Sequence, residues 1–152
     1  MARQLSFEDV EVGMEISSLV KHPTTRQLVK WAGATEDWYE IHYDKDFALS
    51  KNMPSVIVHG RLKAAFLGQL ITDWIGERGV VKKISCSYRG IDVPGVNLTC
   101  KGKITNKYVK NNENFVECDI WLENAKGEKT TPGTALVTLP SRSGQALSNL
   151  RK

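Results

Sequence analysis

The chain has 152 residues, 41% of them hydrophobic and 25% charged, which suits a single soluble domain with a sizeable core. Its 21 Lys and Arg against 17 Asp and Glu leave a formal charge of +4. That bias tolerates an anionic ligand but lacks the dense basic stripe of a nucleic-acid binder. The N-terminal segment has no apolar core of signal-peptide length and no run reaches membrane-spanning length, so a cytoplasmic protein without membrane contact is expected. Cys86, Cys100 and Cys118 are odd in number and show no CxxC spacing. They are expected as reduced core thiols, not as metal ligands or disulfides.

In chain order, a loop with a turn at Gly13 leads into a short strand over 16–20. Pro23 and Thr24 then open a helix. Thr24 is its N-cap, Gln27 completes a capping box, Leu28, Val29, Trp31 and Ala32 are carried along it, and it stops near Gly33. No period persists over 34–54, where polar and aromatic residues mix as in a loop that holds a site. After Val58-His59-Gly60, Leu62, Ala65, Phe66, Leu70 and Trp74 recur at helical steps, and Leu67, Ile71 and Ile75 widen the apolar stripe. Gly76 follows as a left-handed cap. A helix apolar over so much of its circumference requires wrapping.

The wrapping is expected downstream, where the period becomes two. Ile84, Cys86 and Tyr88 form one alternating series, as do Val96, Leu98, Cys100 and Ile104. Val116, Cys118, Ile120 and Leu122 form another, and Ala135, Val137 and Leu139 the last. Turn residues separate them at 93–95, 111–114 and 124–127. One apolar face per strand points to an antiparallel sheet, and covering both that face and the helix gives an α+β architecture, a curved sheet around one helix. Residues 1–140 are expected as one domain, with 141–152 a frayed tail.

Three histidines are available for chemistry. His22, before Pro23, has no acidic neighbour and is read as a surface or capping residue. His42 follows Asp37 by five residues in a loop with Trp38, Tyr39 and Tyr43, and His59 directly precedes Gly60. A carboxylate beside an imidazole suits the holding and activation of a water. From spacing alone the plainer reading, Asp37 capping a helical turn while His42 packs, stands ahead of that one. Gly60 at a helix start can present an unpaired amide to a ligand, or merely serve the turn.

Taken together, Asp37-Trp38-Tyr39-Glu40-Ile41-His42 and, 16 residues later, Val58-His59-Gly60-Arg61-Leu62 resemble the signature of MaoC-type (R)-specific enoyl-CoA hydratases and dehydratases. The likeness extends over residues 5–139 and includes Phe7-Glu8-Asp9-Val10-Glu11-Val12-Gly13 and Ile91-Asp92-Val93-Pro94-Gly95. It implies the hotdog fold, usually dimerised edge to edge, so a homodimer or larger homo-oligomer is expected, a hetero-oligomer being the alternative. It also implies that Asp37 and His42 position and activate water while the Gly60 N–H serves as oxyanion hole. The implied reaction is reversible addition of water to a trans-2-enoyl thioester, giving an (R)-3-hydroxyacyl product. No separate cofactor or metal is implied, since coenzyme A or acyl carrier protein is part of the substrate. His59, Trp38, Tyr39 and Arg61 are the candidate substrate-contacting residues, and Lys82, Lys83, Arg89, Lys101, Lys103 and Lys107 the candidate partners of the coenzyme A phosphates. Family members commonly place a small glycine before the aspartate and an Asn-Pro turn after it. This chain has Glu36 and Tyr39-Glu40 there, and Gly68 where some members carry a serine that steadies the aspartate. The alternative function is a non-catalytic hotdog subunit that binds acyl groups or stabilises a partner. A hotdog thioesterase fits the pattern least.

Overall fold

The structure, a computed structural model, describes residues 4–142. Five antiparallel strands form one sheet: β1 (Glu15–Lys21), β2 (Val80–Cys86), β3 (Leu98–Lys110), β4 (Glu113–Glu123) and β5 (Lys129–Thr138). Their order across the sheet is β1-β3-β4-β5-β2, so β1 and β2 are its edges. Between β1 and β2 in sequence come α1 (Thr25–Thr35), α2 (Lys45–Ser50) and α3 (Gly60–Ile75). α3 lies on the inner face and touches all five strands.

The expected alternation sets that face. Leu98, Cys100 and Ile104 of β3 are buried, as are Val116, Cys118, Ile120 and Leu122 of β4 and Ala135 and Val137 of β5. They pack with Leu62, Phe66, Leu67, Leu70, Ile71 and Ile75 of α3 in one cluster. Each such side chain contributes about 1.5–3 kcal/mol by leaving water. Burial pushes the thiols of Cys100 and Cys118 up to about 12, so both remain neutral packing groups. β3 and β4 join through Asn111 and Asn112, both at positive φ, in a tight hairpin turn that asparagine tolerates.

Three local expectations change. The wrapping of α3 is incomplete: Ala65 is exposed beside Arg61 and Gln69, and Trp74 is half-buried. Gly76 has φ 72° but ψ −173°, an extended conformation reserved for glycine rather than a left-handed cap. The helix end is instead satisfied by Gln4, whose amide donates to Ile75 O (2.9 Å) and accepts from Arg78 N (2.9 Å). The region 34–54 holds a short helix as well as loop. Asp44 caps α2 by accepting from Phe47 N at 2.9 Å, a start signal overlooked among the aromatics.

Thr24 caps α1 as expected, accepting from Gln27 N at 3.2 Å, and the helix runs to Thr35. Of the expected frayed tail, 143–152 lie outside the described residues. Its first two residues are tied down: Ser141 accepts from Asn114, and Arg142 pairs with Asp9.

Candidate active site

Two chain segments are laced together ahead of α3. Glu36, at φ 59° and ψ 22°, ends α1 in the left-handed region and turns the chain sharply before Asp37. A single 3₁₀ turn, Glu40–His42, follows. Ile57 N then donates to Ile41 O (3.0 Å), and the His42 ring donates from Nδ1 to Ile57 O (2.8 Å). A carbonyl can only accept, so Nδ1 carries the proton and Nε2 is left as the basic nitrogen of neutral His42.

His59, the residue before α3, is fully buried and its ring stacks on His42 with centroids 3.7 Å apart and an 18° interplanar angle. Its Nε2 faces Asp37 O at 3.4 Å, while Nδ1 is buried without a partner among the described residues. Burial lowers the His59 pKa, and the His42 imidazole against it lowers it further, so the neutral form of His59 is favoured. One donor atom from each of Asp37, His42 and His59 falls within 4.8 Å of the others. Two hydrogen bonds to one water span such a gap. A shared cation fits less well. Stacked rings send their in-plane lone pairs side by side instead of converging on one point.

α3 begins at Gly60, whose amide lacks an intrahelical partner at a helix N-terminus. Gly60 and His42 line a common cavity of about 500 Å³, completed by Lys63, Tyr88, Arg89 and Ile91 among others. A Cβ at Gly60 would come within 3.0 Å of the Tyr88 ring, so the aromatic lies directly against the helix start. Burial raises the Tyr88 pKa, the Cys86 thiol beside it adds to the rise, and Arg61 opposes it.

The other residues marked from sequence are placed elsewhere. Trp38 lies over Gly33 and meets Tyr43 edge-on, with ring centroids 5.8 Å apart. Tyr39 meets His42 and Phe47 edge-on at 6.4 and 6.0 Å. Neither these two nor Arg61 nor His59 lines the cavity, and Asp37 lies outside its lining as well, reaching it only through its approach to His42. Of the basic candidates only Arg89 does. Lys82 pairs with Glu113 and Lys101 with Glu123. Lys107 donates to Phe7 O (2.8 Å) and Val10 O (2.7 Å), anchoring the N-terminal segment.

Sequence reasoning missed Lys63, Tyr88 and Asp92. A lysine in the apolar stripe three residues after Gly60 was a signal for the first. The regular strand ends at Cys86, two residues before Tyr88; beyond it the Ser87 amide donates to Pro132 O, and the Arg89 and Gly90 amides to Thr130 O, so the chain stays irregularly tied to β5.

Residues 9–124 match the family model described as MaoC like domain, and the chain belongs to this family of hydratases and dehydratases. Among curated proteins, the beta subunit of 3-oxo-4,17-pregnadiene-20-carboxyl-CoA hydratase from Mycobacterium tuberculosis is 26% identical over 73 residues, 48% of this chain. The match spans 57% of that relative's own length. The solved (R)-hydratase of A. caviae involved in PHA biosynthesis superposes with a TM-score of 0.79 at 23% identity, covering 88% of this chain and 99% of that one. R-hydratase PhaJ1 from Pseudomonas aeruginosa, unliganded, gives 0.82 at 21% identity, covering 91% and 88%. The ChsH1-ChsH2 complex from Mycobacterium tuberculosis gives 0.74 at 20%, covering 85% and 98%. At these identities the likeness establishes the hotdog fold.

Proposed function

We propose that the protein is an (R)-specific hydratase/dehydratase that reversibly adds water to trans-2-enoyl thioesters of coenzyme A or acyl carrier protein. The observation that carries this reading is the shared cavity: the free face of His42 and the start of α3 at Gly60 open onto one space, with Asp37 within a water's span of the imidazole. The thioester carbonyl sits against the Gly60 amide, which draws electron density from the double bond and makes C3 electrophilic. Water held between Asp37 and His42 attacks C3. Its O–H bond breaks towards His42 Nε2, the new C–O bond forms, and the π electrons move to C2 and the carbonyl oxygen as an enolate. A proton from the same pair then reaches C2 on the same face, giving the 3-hydroxyacyl thioester. Dehydration is the reverse.

The test is a panel of 2-enoyl-CoA esters, from crotonyl-CoA upwards, followed by loss of enoyl absorbance. Hydration of at least one chain length is expected. A flat trace throughout, alone and with candidate partner chains, overturns the reading in favour of a partner-stabilising subunit. That second reading is supported by the likeness to a protein named as a beta subunit and by the open face of α3 at Arg61, Ala65 and Gln69. Assembly belongs to both readings, because β1 and β2 are edge strands and α3 is only partly covered. Solution scattering of a strict monomer counts against both.

A further inference from the structure

We propose that Lys63 is a second donor to the thioester oxygen, acting beside the Gly60 amide, and that Asp92 holds its charge inside the protein. This assignment rests on the hydration reading above. Lys63 is 2% exposed in the first turn of α3, beside its apolar stripe. Its Nζ donates to Asp92 Oδ2 and to Gly90 O, both at 2.9 Å. Asp92 Oδ2 also accepts from Thr130 Oγ1 at 2.7 Å. The carboxylate is buried, and its Oδ1 has no partner among the described residues.

Such a pair is a poor stability device. Buried ion pairs commonly yield no more than an apolar pair of the same volume, and a partly satisfied polar network yields less. Its position suggests the use. Lys63 follows Gly60 by three residues, on the same helix face, and lines the cavity with it. An ammonium has three N–H groups, of which Gly90 and Asp92 take two. Asp92 is itself fixed to the segment entering α3, because its carbonyl accepts from Val58 N at 2.8 Å. Amide, ammonium and counter-charge are therefore one rigid unit. A positive pole there stabilises the enolate oxygen more than the neutral carbonyl, which is the differential binding that raises kcat.

The decisive comparison is wild type against Lys63→Met combined with Asp92→Asn, because Lys63→Met alone strands a buried carboxylate. The double variant is expected to melt near wild type, with kcat for enoyl-CoA hydration down about a hundredfold and KM little changed. A folded double variant with wild-type kcat overturns the assignment, and so does a double variant that cannot fold, since the pair is then structural. Acetoacetyl-CoA separates this result from the hydration reading. Its enolate has its own near-ultraviolet band and forms without water addition. The enolate should appear at lower pH on wild type than on the double variant. If wild type hydrates no enoyl thioester, the hydration reading fails and this titration alone decides the role of Lys63. Equal or absent enolate bands in the two proteins remove it.

Discussion

The first turn of α3 and its remaining turns obey different rules. From Phe66 onward, the inward positions Phe66, Leu67, Leu70, Ile71 and Ile75 are apolar, buried and packed on the sheet, and Gln4 satisfies the helix end. The first turn has no side-chain N-cap, opens on a glycine, buries a lysine and is preceded by a buried histidine. Of the four buried side-chain polar atoms without partners among the described residues, His59 Nδ1 and Asp92 Oδ1 lie beside this turn. One helix thus carries a stabilising part and a part whose polar groups are left available, and such concentrated exceptions are expected where a fold holds a site.

Two substitutions should break the helix into those parts. His42→Ala is expected to lower kcat about 10²–10⁴-fold, the range for loss of a positioned acid/base, and Asp37→Asn to act in the same direction. Melting should fall less than for a core truncation, since His42 loses one hydrogen bond, worth about 1 kcal/mol, and its ring contacts with His59 and Tyr39. Leu67→Ala should do the opposite. Leu67 is fully buried, so its truncation costs about 2–5 kcal/mol of stability while the molecules that remain folded keep wild-type turnover. If His42→Ala destabilises as much as Leu67→Ala, the division is wrong.

The stabilising part was legible in the sequence because it follows periodicity. A 3.6-residue stripe and four two-residue alternations specify a helix against a sheet with little competition from other arrangements. The site was legible only as spacing. Asp37 comes near His42, and His42 shares a cavity with Gly60, through the left-handed turn at Glu36 and the bonds of Ile41 and His42 to Ile57, long-range facts that no local pattern carries. The aromatics Trp38 and Tyr39 drew attention by type, yet they pack on neighbouring loop and helix residues. Tyr88 and Asp92 were hidden for another reason. Their segment runs past the end of the regular ladder at Cys86 while still donating from Ser87, Arg89 and Gly90 to β5, and only the long-range bond from Val58 N to Asp92 O ties it to the helix start.

Gly60→Ala sharpens the comparison at a smaller scale. The new methyl would press on the Tyr88 ring at about 3.0 Å, inside the cavity, so the ring must give by a few tenths of an ångström. Alanine is the better helix former by up to about 1 kcal/mol, which offsets that contact. Melting should therefore stay close to wild type while kcat/KM for enoyl thioesters falls, the amide being crowded rather than removed. A variant with full activity would show that substrate does not approach the amide at Gly60.

The smallest effect concerns His59. Its pKa lies below the usual histidine value near 6.5, chiefly through burial and then through the adjoining His42, with the Asp37 carbonyl and charge opposing. The unfolded chain binds a proton there near pH 6.5, whereas the folded chain does so only at lower pH. Stability from keeping this ring neutral is therefore complete above about pH 6.5 and is lost as pH falls towards the folded value. Glu8 and Glu123 also have lowered values, but carboxylates with an ordinary value of 4.5 contribute to acid loss at lower pH. Between about pH 6.5 and 5 the histidine's share should be visible. His59→Phe keeps an aromatic ring against His42 but cannot titrate. Its melting temperature, whatever its absolute value, should fall less steeply over that interval than wild type. Parallel slopes would mean that the buried ring already accepts a proton as freely in the folded protein as in the unfolded chain, and the first turn would lose one of its two unsatisfied groups.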